Sequence, residues 1–356
     1  MKITLFSDLH AHPFHQYARV LSNGLNGRLQ DAFDAVATVR AATGASGAQA
    51  VLFGGDLFHT MSRLDVGALG GVFAEIAAFA PTPVFLLVGN HDQADKTGTR
   101  HALEVFKALP HVVVMEAPGW FTHPGAPGLA VYGVPYREDT NEVRALLAGI
   151  SAPPAHTHRV LLLHVGFDGA RTGPHEYRMA SELSVADVPE GFDFVLSGHY
   201  HTPQWMDQAR RIAYIGATTH QSWGDANQNR GFAIADLEHR TLERLETRAP
   251  RFLRLTKEHL DQARPGDFVE LILPADADDT EVLAARVALD AREVGGGQIV
   301  RAAAPEEPAP PRLECAGGMD LPALIAPYVE HLEPDDLDRE RLVGLGRELL
   351  QAAAAT

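Results

Sequence analysis

Short blocks dominated by apolar residues fall at 3–7, 51–53, 84–88, 160–164 and 194–197, each closed by Gly, Asp, Asn or His. Blocks of this length, too short for a core helix, read as strands buried in a sheet. Between the first three blocks the period changes. Leu29, Phe33, Val36 and Val39 predict a helix over 29–42, a second helix over 64–79 ends before Pro81 and Pro83, and a third occupies 101–109. Strand alternating with helix predicts crossovers and a largely parallel core sheet. After Pro110 short β-like pieces at 112–115, 129–133, 160–164, 194–197, 212–216 and 232–236 dominate, and only 141–148 reads clearly as helix. These pieces are expected to form a second sheet packed on the first, so the expectation is α/β: two packed mixed sheets flanked by helices. Segments 252–256, 267–273 and 298–303 with a helix over 280–292 predict a small α+β unit, the Pro/Ala-rich 304–311 reads as a linker, and 321–355 as an amphipathic helical tail. The expected domains are 1–247, 248–303, the linker 304–311 and a tail over 312–356.

The ends of those blocks carry chemistry: Asp8-Leu9-His10, Gly54-Gly55-Asp56-Leu57-Phe58-His59, Gly89-Asn90-His91-Asp92, His164, and Gly198-His199-Tyr200-His201. Singly, each has a plain explanation. Gly-Asp after a strand is commonly a turn, His-X-His a solvated pair, and Gly-Asn-His-Asp a loop tolerant of left-handed backbone. Together they occupy five strand ends, and open α/β sheets hold their ligands at the carboxyl edge. Carboxylate, imidazole and amide oxygen suit Mn, Fe, Zn or similar divalent ions. With one carboxylate able to bridge, two ions about 3.5–4 Å apart would clamp the attacking and leaving oxygens of a phosphoryl displacement.

Composition narrows this picture. A chain of 356 residues suits roughly two domains at ~100–200 residues each, and its 46% hydrophobic content is that of a soluble globular protein. A single cysteine, Cys315, excludes an internal disulfide and a thiolate metal cluster. No apolar run spans a bilayer and the first strand begins without a leader, so a cytoplasmic protein with no membrane association is expected. The formal net charge of −16 disfavours tight unspecific nucleic-acid binding by the isolated chain, although bound cations and a local basic rim can reverse the sign around a site.

The ordered motifs resemble the calcineurin-like metallophosphoesterases, over about the first two thirds of the chain. Within that superfamily Gly55-Asp56-Leu57-Phe58-His59, Tyr132-Gly133-Val134-Pro135-Tyr136, Tyr214-Ile215-Gly216 and Arg230-Gly231-Phe232 resemble the SbcD-type nucleases of double-strand-break repair. The region from Arg251-Phe252 is similar to that family's capping domain. Ala11-His12 departs from the pattern, which carries Gly soon after the first His. The resemblance implies a four-layer sandwich and two divalent ions, Mn expected and Fe, Zn or Mg possible in its place. Asp8, His10, Asp56 and His201 would hold one ion, and Asp56, Asn90, His164 and His199 the other. It implies water activated at the ions for attack on phosphorus, His91 serving the leaving oxygen, Asp92 orienting His91, and His59 positioning the phosphate. It further implies DNA ends and single strands as substrates, an SbcC-like ATPase partner and a homodimer. His12, His15, His123, His175 and His220 are expected outside the ligand set, while Arg100, Arg137, Arg171 and Arg178 are candidates for gripping phosphates. The tail's apolar stripe, with Leu324, Ile325, Tyr328, Val329, Leu342, Leu345 and Leu349, would dock on a partner or on its own chain. Two other functions stay open: hydrolysis of small phosphodiesters or phosphomonoesters, and a non-catalytic binding subunit.

Overall fold

The computed structural model describes residues 1–95, 98–151, 158–181, 183–302, 321–331 and 338–354. In chain order the elements are β1 (Lys2–Phe6), α1 (Gly27–Ser46), β2 (Ala50–Phe53), α2 (Val66–Ala77), β3 (Val84–Leu87), β4 (Val112–Met115), β5 (Gly119–Phe121), β6 (Leu129–Val134), α3 (Thr140–Ala148) and β7 (His158–His164). There follow β8 (Arg171–Thr172), β9 (Tyr177–Arg178), β10 (Phe194–Gly198), β11 (Gln204–Trp205), β12 (Ile212–Tyr214), β13 (Phe232–Asp236), β14 (Thr241–Leu245), β15 (Phe252–Thr256), β16 (Phe268–Leu273), α4 (Asp279–Asp290), β17 (Gly296–Arg301), α5 (Leu321–His331) and α6 (Arg339–Ala354). Where an α-helix is expected over 101–109, Ala102–Ala108 winds as a 3₁₀ helix. That stretch is too short to offset the cost of nucleating an α-helix by its own hydrogen bonds.

Two six-stranded sheets form the body, ordered β14-β13-β1-β2-β3-β4 and β11-β12-β10-β7-β6-β5. The strands from β1 to β4 are parallel, as are β12, β10, β7 and β6. Segments 112–115 and 232–236, expected in the second sheet, join the first instead: β4 extends its parallel edge and β13 pairs antiparallel with β1. Local pattern identifies such strands but cannot choose the sheet, because the partner is set by tertiary packing.

The strand blocks are predominantly apolar because both of their faces are buried. Ile3, Leu5, Leu52, Phe85 and Leu87 face Leu129, Val160, Leu162, Phe194 and Leu196 between the sheets. Phe6, Val51, Phe53 and Leu86 point the other way, under Leu29, Phe33, Val36 and Val39 of α1. Across the molecule Leu161, Leu163 and Val195 pack beneath Val143 and Leu147 of α3. The result is a helix–sheet–sheet–helix sandwich. Helix α1 starts where Asn26 Oδ1 accepts the Leu29 amide and stops at Gly47, which takes a left-handed φ of 66°.

Strands β15, β16 and β17 form a third sheet whose Leu253, Leu255, Val269 and Leu271 share a core with Ala285 and Leu289 of α4. It is tied to the sandwich by an aromatic cluster of Tyr17, Trp223, Phe252 and Phe268. The buried Arg28 guanidinium lies about 5 Å from the rings of Phe14, Phe252 and Phe268. By compactness the chain divides into one unit of residues 1–273 with 277–300, and another of 274–276 with 301–356. In the latter α5 and α6 pack on each other, with Gly346 against Ile325. The expected linker 304–311 lies outside the described residues. No helix among the described residues is long and apolar enough to cross a membrane.

Candidate metal centre

The carboxyl ends of β1, β2, β3, β7 and β10 meet at one edge of the sandwich. The turns leaving them bind one another: Asp8 N–H donates to Gly55 O at 2.9 Å and His10 N–H to Asp56 O at 3.1 Å. Asp8, His10, Asp56 and His199 all have positive φ, at 49°, 49°, 61° and 86°. Such backbone costs of order 1–3 kcal/mol per residue and persists only where its surroundings hold it. The motif glycines make room for this. A side chain on Gly89 would collide with the Asp56 carboxylate, and Gly55, at φ 102°, lies against the His164 ring.

Side chains converge accordingly. Asp56 Oδ2 lies 3.7 Å from His10 Nε2 and 3.3 Å from His164 Nε2. Its other oxygen accepts the His91 amide at 2.8 Å. His10 Nε2 and His201 Nε2 face each other at 3.2 Å, and Asp8, His10 and His201 present donor atoms within 4.8 Å of one another. On the other side of Asp56, Asn90 Oδ1 lies 3.0 Å from His164 Nε2 and 3.2 Å from His199 Nδ1. Asp56 thus stands between two donor sets. Both contain only oxygen and imidazole nitrogen, a composition that fits divalent ions such as Mn, Fe or Zn. The two imidazole nitrogens of His10 and His201, pointed at each other, also fit a shared cation.

Supporting hydrogen bonds decide which atoms face inward. His164 Nδ1 donates to Gly54 O at 2.7 Å, which leaves Nε2 as its inward atom. His91 Nδ1 donates to His59 O at 2.7 Å, and the His59 and His91 rings stack with centroids 5.5 Å apart. Burial raises the Asp8 carboxyl, while it and the neighbouring imidazoles push His10 well down. For Asp56 burial acts upward, but His164 and His10 outweigh it and the carboxyl stays low. Burial acts downward on His164, yet Asp56, Asp8 and the Gly54 carbonyl carry it up to about 9. Partial burial, with His164 alongside, lowers His199 to about 3. The Asp56 carboxylate, held low by His164 and His10, is the negative centre between the two donor sets.

Asp92 requires a correction. Its fully buried carboxylate accepts the amides of Asp56, Leu57, Phe58 and Gly89 at 2.9–3.2 Å, so it braces the turn that carries Asp56 and does not orient His91. The carbonyl of His59 is the partner of His91. Burial and the Asp56 carboxylate push Asp92 up to about 7, against the pull of the Gly89 and Phe58 amides. Asp225, passed over in the sequence because it follows no strand, is buried 3.4 Å from His201 Nδ1. Of the histidines expected outside the ligand set, His220 is buried and accepts the Phe252 amide, while His15 and His175 are exposed. Arg137 and Arg171 are paired with Glu142 and Glu176, and Arg100 and Arg178 are exposed.

Residues 1–203 match the calcineurin-like phosphoesterase family. The chain is 22% identical over 213 residues to the SbcD component of the SbcCD nuclease of Staphylococcus epidermidis, an alignment covering 54% of this chain and 56% of that protein. It is 30% identical over 90 residues to the uncharacterized protein R555 of Acanthamoeba polyphaga mimivirus, over 25% of this chain and 7% of that one. The match thus spans little more than half the length of the first of these relatives and a small part of the second. Among solved structures, Yfce, a phosphoesterase from E. coli, matches 69% of the chain over 100% of its own at 16% identity and TM-score 0.33. A dimetal phosphatase from Danio rerio matches 66% of the chain over 92% of its own, at 12% identity and TM-score 0.38. With the family matched across more than half its length and the strand-end donors gathered at one edge, the chain belongs to the calcineurin-like metallophosphoesterases, hydrolases of phosphoester bonds that work with divalent metal ions.

Proposed function

We propose that the protein is a phosphodiesterase acting on DNA, a nuclease with two divalent ions, Mn foremost. The carrying observation is the position of Asp56 Oδ2 between His10 Nε2 and His164 Nε2, which divides the donors into two sets sharing one carboxylate. Asp8, His10, Asp56 and His201 would hold one ion, and Asp56, Asn90, His164 and His199 the other. Bound there, the ions supply Lewis acidity and a water of lowered pKa. The remaining chemistry belongs to side chains outside both sets. His91, steadied by the His59 carbonyl, presents Nε2 to protonate the leaving oxygen. His59, stacked on His91, forms the wall against which a phosphate is turned into line.

Polymeric DNA is favoured over small esters by the likeness to the SbcD component of the SbcCD nuclease and by the β15–β17 sheet beside the sandwich, which supplies a wall for an extended substrate. An SbcC-like ATPase and a second copy of the chain are the partners this reading implies. The net charge of −16 favours the second reading, a small-ester phosphodiesterase. End-labelled duplex, single-stranded circles and bis-p-nitrophenyl phosphate, assayed in parallel with Mn, separate the two. The expected result is cleavage of linear DNA that is slow and suppressed by moderate salt. Rapid turnover of the ester with both DNAs intact at every salt and metal concentration would replace the nuclease with the second reading.

A further inference from the structure

We infer that Asp225 is a positioning residue for His201, and that the loop carrying it braces one of the two proposed ion sites and not the other. The inference rests on His201 being a metal ligand. His201 Nε2 faces His10, so Nδ1 is the nitrogen turned away from the donor set, and Asp225 Oδ1 stands 3.4 Å from it. A carboxylate behind an imidazole ligand fixes its tautomer and raises its basicity. Asp225 is itself immobilised. Arg230 Nη2 donates to the same oxygen at 2.6 Å, and the Gln221 amide to the other at 2.7 Å. Arg230 Nη2 also reaches Gln228 Oε1 at 2.7 Å, which accepts the Thr202 hydroxyl at 2.8 Å, closing a ring around His201-Thr202.

The same loop extends to the first strand end. Gln221 Nε2 donates to Leu9 O at 3.1 Å, between Asp8 and His10. Asp8, His10 and His201, three of the four donors assigned to one ion, are therefore tied to residues 221–230. Asn90, His164 and His199 draw their support elsewhere, from one another, Gly54 and Asp8. The two ions should respond differently to damage in the loop.

The test is Mn titration of the full chain by calorimetry and by the electron-spin coupling of the ion pair, for the unaltered protein, Asp225→Asn, Arg230→Gln, His201→Ala and the double variant Asp225→Asn with His201→Ala. Asp225→Asn is expected to weaken one ion 10–100-fold, as loss of such a partner typically does, and to shift the onset of the coupling signal to correspondingly higher Mn while the other ion keeps its affinity. Asp225→Glu should restore part of the loss, and Asp225→Asn should add nothing once His201 is absent. Equal weakening of both ions, or an undiminished effect in the His201→Ala background, overturns the inference. So does a fall in the melting temperature of the EDTA-treated protein with both affinities unchanged. If Asp225→Asn does not fold, Arg230→Gln carries the same expectations. Fewer than two ions on the unaltered protein would instead defeat the two-ion reading on which this rests.

Discussion

His91 and Asp92 are neighbours in sequence with opposite duties. Asp92 commits both carboxylate oxygens to backbone amides, whereas His91 commits only Nδ1, to the His59 carbonyl. Its amide donates to Asp56 Oδ1 at 2.8 Å. The His91→Ala variant should therefore retain both ions while losing roughly 10²–10⁴ in the rate of DNA cleavage, the usual worth of a general acid. Esters with p-nitrophenolate as leaving group, which needs no proton, should lose much less. Ion stoichiometry and the two rates decide the matter, and loss of an ion would make His91 a ligand. That Asp8, Asp56 and Asn90 bring oxygens to one sheet edge was legible from their strand-end motifs. Asp225 was not, since its partner His201 comes to it only through folding.

At the scale of elements, strand β15 is attached to the sandwich through His220. The Phe252 amide donates to His220 Nδ1 at 3.4 Å, which requires a neutral ring, and burial with Arg230 nearby lowers the ring to about 4. The folded pKa lies below the ordinary value near 6.5, so the stabilising contribution is present above pH 6.5 and is lost as pH falls toward 4. A shift of that size corresponds to about 3 kcal/mol. Urea unfolding of the EDTA-treated protein should show less loss of stability between about pH 7 and pH 4.5 for His220→Gln than for the unaltered chain. Equal losses would assign the acid sensitivity to other groups. Helices α1, α2 and α3 were legible from apolar periodicity and from the prolines that follow α2, but the membership of β4 and β13 in the first sheet was not. Both read as strands, and the choice between sheets lay in how the chain packs in three dimensions.

At the scale of the molecule, every donor proposed here lies in the unit of residues 1–273 with 277–300, and none in the unit containing α5 and α6. Of the stripe expected to dock on a partner or on its own chain, Leu345 and Leu349 on α6 remain exposed, while Val329 is buried and Ile325 packs on Gly346. Removal of residues 303–356 is accordingly expected to leave two ions bound and bis-p-nitrophenyl phosphate hydrolysis unchanged, while abolishing association with an ATPase of the SbcC type. Thermal unfolding and the ester rate check the first part and co-sedimentation the second. An unfolded or ion-free product would make the tail part of the catalytic body.

By itself the sequence determined the order of the buried strands and of helices α1 to α4, and the donors at five strand ends, because these depend on local period and on residue chemistry; the short strands β5, β8, β9, β11 and β14 carry no such period. It also excluded a thiolate cluster, since Cys315 is the single cysteine. Only the tertiary structure decided that Asp56 stands between two imidazole groups, that Asp8, His10, Asp56 and His199 take left-handed backbone, and that Asp92 serves amides and not His91. Each of these depends on contacts between segments far apart in sequence. No local pattern encodes such a contact; it arises when parallel strands from two sheets bring their ends to one edge.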